Sequence, residues 1–78
     1  MLDESTFKNL KLPRYEKVRW EIQKLLIQSK WNVEKPIPSE HELANMYCVS
    51  IGTVRKAVEG LVEEGLLVKC PGKGTFLK

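Results

Sequence analysis

Histidine is almost missing from this sequence: His41 is the one histidine in 78 residues. Two cysteines, Cys48 and Cys70, stand far apart and form no CxxC pair. That composition argues against a zinc ligand set and a disulfide framework, so no metal is expected and the thiols are expected to be reduced. No apolar run approaches the ~20 residues of a membrane span. The opening MLDESTFKNLK lacks the apolar h-region of a signal peptide. A cytoplasmic protein with no membrane partner is therefore the expectation. There is no Ser/His/Asp set, no glycine-rich phosphate loop and no repeat. Neither an enzyme nor a cofactor is expected.

What is present suits one small folded domain. Apolar residues make up 42% of the chain, enough for a core and too many for wholesale disorder. At this size a core contributes only ~3–5 kcal/mol, so a partner or second domain would help. The net charge of +3 favours an anionic partner weakly. The excess lies in residues 1–35, with eight Lys/Arg against five Asp/Glu, whereas residues 36–78 hold five of each. A nucleic-acid role must rest on where charges sit, not on bulk charge.

Residues 1–11 show no period and read as a flexible arm, with Phe7, Leu10 and Leu12 able to dock. Pro13 suits a first helical turn. Tyr15, Val18, Ile22, Leu25 and Leu26 follow at helical spacing, which predicts a first helix over Pro13 to Lys30. In KPIPSEHEL, Pro36 and Pro38 impose extended backbone. Ser39 and Glu42 then form a capping box. A short second helix is expected over Glu40 to Met46, with Leu43 and Ala44 inward and Tyr47-Cys48-Val49 as the turn. Ser50 caps a third helix running to about Glu64, its buried face made by Val54, Ala57, Val58 and Leu61. Gly65 ends it. LLVK and TFLK read as two strands joined by the glycine turn CPGKG. The fold class expected is mainly α with a small β-hairpin: a winged helix-turn-helix over residues 12–78.

Four pieces in order, PSE-x-EL, VS-x-x-TVR-x-A, L-x-x-EGLL and GKGTF, resemble the N-terminal DNA-binding domain of the GntR family of bacterial transcription regulators. The resemblance covers about residues 12 to 78. It implies double-stranded DNA as partner, a homodimer in the full-length protein and a near-palindromic operator. It also implies a small-molecule effector bound by a C-terminal domain. The sequence stops where the DNA-binding domain would end, so either a shortened chain, the favoured expectation, or an unusually short member of the family is expected.

A recognition helix presents its first turns to base edges, while phosphate contacts set its register. Arg55 is the best base reader, because arginine pairs bidentately with guanine; its bland alternative is a solvated pair with Glu59. Ser50 and Thr53 match family positions that contact DNA and stand at a helix N-terminus, where backbone amides favour anions. Ser50 also caps, and Thr53 has the alternative of bonding within its own helix. Ile51 and Gly52 depart from the family, which often has arginine and a hydroxyl residue there. Ile51 can meet a thymine methyl or be partly buried, and Gly52 permits close backbone approach but is expected to read nothing itself.

His41 stands where the family commonly has a phosphate-binding arginine. A histidine there donates one bond without a full charge. Lys56 faces outward as a phosphate contact, and Glu59 marks the edge of that face. Gly72, Lys73 and Gly74 form the hairpin tip, where the glycines admit a groove and the lysine can meet a phosphate or enter the minor groove; the alternative is an ordinary turn that carries a lysine for solubility. Cys48 stands where the family has glycine, at a small cost if the turn needs positive φ.

Trp20 and Ile27 lie seven apart, off the core stripe, and Trp31 joins them if the helix runs on. This second apolar face is covered by the arm, or it docks an effector domain or dimer partner. The expected function is a sequence-specific transcription regulator, with repression expected because binding over a promoter suffices for it. The rivals are a winged-helix module that binds protein and the DNA-binding part of an enzyme-fused regulator.

Overall fold

The computed structural model describes residues 13–78; the proposed arm, with Phe7, Leu10 and Leu12, lies outside the described residues. Among the described residues three helices precede the strands: α1 (Arg14–Gln28), α2 (Glu40–Tyr47) and α3 (Ile51–Glu63). Two strands follow, β1 (Leu67–Cys70) and β2 (Gly74–Leu77), paired antiparallel.

Each helix begins where local chemistry dictates. Pro13 is the N-cap of α1 and contributes no side-chain bond. Ser39 caps α2 with the full capping box: its Oγ accepts from the Glu42 amide at 3.1 Å, and Glu42 Oε1 accepts from the Ser39 amide at 3.2 Å. Ser50 caps α3, accepting from the Thr53 amide at 3.1 Å.

The helices end by turning left. After α1, Lys30 takes φ 50°; its amide reaches the Ile27 carbonyl, and the Trp31 amide reaches that of Leu26. After α3, Gly65 does the same with bonds to Val62 and Leu61. Both are Schellman closures, which satisfy the last carbonyls and swing an apolar residue back onto the helix. The first helix therefore stops at Gln28, two residues short of the Lys30 boundary expected from periodicity. Cys48 closes α2 at φ 54°, the left-handed conformation that its family position suggested.

The core is one cluster. Val18, Ile22 and Leu26 of α1 meet Leu43 and Ala44 of α2, Val54, Ala57, Val58 and Leu61 of α3, and Leu67 of β1. Ile37 completes it, although it comes from the proline-rich connection. Its amide donates to the Thr75 carbonyl at 2.8 Å, so this connection lies along the outer edge of β2. Arg19 crosses Gly60 to pair with Glu64, tying α1 to the end of α3.

The hairpin register pairs Leu67 with Leu77 and Cys70 with Gly74. Pro71, Gly72 and Lys73 form the turn, with the Lys73 amide donating to the Cys70 carbonyl at 2.9 Å. Cys70 and Gly74 thus belong to strands, one residue closer to the tip than LLVK and TFLK suggested. Among the described residues no helix is long and apolar enough to cross a membrane.

Candidate nucleic-acid interface

The first turns of α2 and α3 and the hairpin tip carry the polar residues singled out in the sequence. On α3, Ser50 and Thr53 are joined twice, by the capping bond and by a hydroxyl–hydroxyl contact of 2.9 Å. Thr53 therefore bonds locally, as its alternative reading had it. The pair still leaves two hydroxyl oxygens at a helix N-terminus, where the helix dipole favours an anion.

Arg55 does not pair with Glu59. It pairs with Glu40, in the first turn of α2. Its Nε lies 3.3 and 3.4 Å from the two carboxylate oxygens, and its Nη2 lies 3.1 Å from Oε1. The Glu40 hydrogen bonds, and then its charge, push the guanidinium pKa further above its ordinary value. The arginine stays cationic at every accessible pH. Its side chain remains 58% exposed. Glu40 takes the side-on Nε–Nη2 edge and leaves Nη1 outside this contact; guanine recognition needs two such donors.

His41 is exposed beside Glu40 on the first turn of α2. Lys56 is exposed on α3, but its ammonium sits 4.3 Å from the centre of the Tyr15 ring on α1. This cation–π contact holds the lysine along the α1–α3 seam. Glu59 is exposed one turn beyond Arg55.

At the hairpin tip Lys73 is exposed, and Gly72 takes φ 76°, which the turn requires. Gly74 has a structural reason of its own. It takes φ 128°, and a Cβ there would come within 3.1 Å of Pro36. Pro36, Ser39 and Glu40 share a cleft with Lys73 and Gly74, so the wing tip adjoins the start of α2.

The proposed docking face needs one correction. Trp20 and Ile27 do line an open apolar groove of about 680 Å³, with Leu66, Leu67 and Leu77. Ile27 is 75% exposed. Trp31 does not join them. The closure at Lys30 redirects the chain, and Trp31 packs against the core with its Nε1 donating to the Lys35 carbonyl at 3.0 Å.

Glu40 is the site residue that sequence reasoning missed. It is 15 residues from Arg55, beyond any local spacing rule. An acid in the first turn of a helix already has a sufficient reason to be there. Only the packing of α2 against α3 makes it a partner for the arginine.

Three helices and a hairpin, with α2 and α3 forming the helix-turn-helix and β1–β2 the wing, define the winged helix-turn-helix class of DNA-binding domain. The family model of "Bacterial regulatory proteins, gntR family" matches residues 14–77, and the chain belongs to that family. It is 41% identical over 66 residues, 85% of its length, to the arabinose metabolism transcriptional repressor of Geobacillus stearothermophilus, of which it covers 18%. It is 39% identical over 82% of its length to a probable fructoselysine utilization operon repressor of Escherichia coli K12, of which it covers 26%. The chain thus spans about a fifth to a quarter of these relatives. Its fold superposes on the AraR DNA-binding domain in complex with operator ORR3 with a TM-score of 0.79 and 40% identity, covering 88% of this chain and 83% of that one. The same domain on operator ORE1 gives 0.78 and 37% identity, covering 100% and 90%.

Proposed function

We propose that this domain reads an operator in double-stranded DNA by laying the first turns of α3 in the major groove, and that the protein carrying it is a repressor. Arg55 pairs end-on with guanine O6 and N7 while Glu40 holds it from the side. Ser50, Thr53 and His41 bond phosphates at the two helix N-termini. Lys56 and, at the wing, Lys73 supply further phosphate contacts. The observation that carries this reading is the Glu40–Arg55 pair. A carboxylate on the Nε–Nη2 edge restricts the arginine before DNA arrives, so less side-chain freedom is lost on binding.

The relatives support the operator and repressor readings. Those named above are called repressors, and the AraR domain was crystallised on operators. Repression needs only occupancy of a promoter. The protein works as a homodimer on a near-palindromic site, because half-site symmetry mirrors protein symmetry. A small-molecule effector acts through a domain outside this unit. The domain binds without turnover, and it does so in the cytoplasm.

The test is selection from a random duplex pool at near-physiological salt, with Arg55→Ala alongside. A two-fold symmetric motif that the variant fails to enrich is the expected result. No enrichment by the wild-type domain would sink the proposal in favour of a protein-binding winged helix.

A further inference from the structure

Gly52 lies in the first turn of α3 on the exposed side. Among the described residues nothing in the fold requires a glycine there. Gly65, Gly72 and Gly74 take positive φ, and Gly60 lies under Arg19, whose Nη1 would be 3.3 Å from a Cβ. Gly52 has neither constraint: its φ is not positive, and beyond its chain neighbours and the helix backbone the nearest atom to a Cβ among the described residues is Ser50 Oγ at 3.9 Å. Alanine would fit without strain and is the better helix former.

The neighbouring side chain does not fill the gap. Ile51 is half-buried and leans on the core. So the first turn of α3 presents no side-chain donor or acceptor at positions 51 and 52. Three residues on, Arg55 stands on the same face, about 4.5 Å along the helix axis. This is one to two base-pair steps of about 3.4 Å.

Resting on the DNA-binding reading above, we infer that Gly52 determines specificity: its bare Cα seats a thymine methyl, one or two base pairs from the guanine that Arg55 reads. An edge of guanine or cytosine pressed against this surface would lose water from its polar groups and gain no partner. The thymine C5-methyl is the major-groove group that gains from apolar contact. A side chain at position 52 would occupy the space the methyl needs.

The experiment uses the duplex enriched by the wild-type domain, with Gly52→Ala and with deoxyuridine replacing each thymine in turn, which removes only the methyl. Gly52→Ala is expected to raise the melting midpoint by roughly 2–5 °C. It is expected to weaken binding to the enriched duplex by about tenfold or more, as an overpacked contact does, while binding to scrambled duplex stays the same. In each half-site one deoxyuridine, next to or one removed from the Arg55 guanine, should weaken wild-type binding about three- to fourfold, the value of one buried methyl. The same replacement should matter less to Gly52→Ala.

The inference is overturned if Gly52→Ala binds the enriched duplex as tightly as wild type. It is equally overturned if no thymine responds to loss of its methyl. Failure of the wild-type domain to enrich any duplex is a different result: it removes the DNA-binding reading itself, and this inference with it.

Discussion

The carboxylate of Glu40 grips Arg55 side-on through Nε and Nη2, across the junction of α2 and α3. A planar guanidinium has five donors in a rigid fork, so a partner on one edge sets the direction of the other. Glu40→Gln keeps the shape and removes the charge. We expect its melting midpoint to stay near wild type, because an exposed pair adds little to stability. Its preference for the enriched duplex over scrambled duplex should narrow, read by fluorescence anisotropy. Arg55→Lys keeps the charge and loses the fork. It should cost about ten- to a hundredfold on the enriched duplex and little on scrambled DNA. Equal losses on both duplexes would mean that Arg55 meets only phosphate.

Ser50 has two separable jobs. Ser50→Ala removes the capping acceptor for the Thr53 amide and should cost about 1 kcal/mol in urea denaturation. Ser50→Asp keeps a capping acceptor and sets a negative charge against the phosphates. It should fold as stably as wild type and bind DNA more weakly. If Ser50→Asp binds as well as wild type, Ser50 is a cap and nothing more.

Lys73 is exposed at the wing tip. Lys73→Ala should leave stability unchanged. It should reduce the magnitude of the log–log dependence of affinity on salt by about 0.9, the value for one neutralised phosphate. An unchanged salt slope would place the wing away from the backbone.

The αL conformation of Cys48 predicts a gain. At φ 54° a non-glycine residue carries strain, so Cys48→Gly should stabilise the domain by about 1 kcal/mol with the same denaturant slope. The core predicts the opposite. Leu61 is fully buried, and Leu61→Ala should cost about 2–5 kcal/mol. That is comparable with the whole stability of a domain this small, so the variant should be largely unfolded by circular dichroism.

What could be read from the sequence alone acts over short range. The Ser39–Glu42 box, the Ser50 cap, the Gly65 stop and the hairpin turn each involve residues at most five apart. A local rule sees both partners, so it predicts them. The buried faces of α1 and α3 were equally legible, because helical periodicity sets which side chains share a side. So were the fold class and the exposed positions of Arg55 and Lys73. The tertiary structure decided everything that depends on one element meeting another. Packing of α2 on α3 gave Arg55 its partner in Glu40 instead of Glu59. Ile37 entered the core because its backbone pairs with Thr75 on β2. Lys56 settled over Tyr15 because α1 crosses α3 there. Trp31 left the Trp20–Ile27 face because a left-handed Lys30, a conformation no propensity favours, turned the chain back onto the core. Those contacts are fixed by where whole elements pack, and spacing along the chain does not encode that.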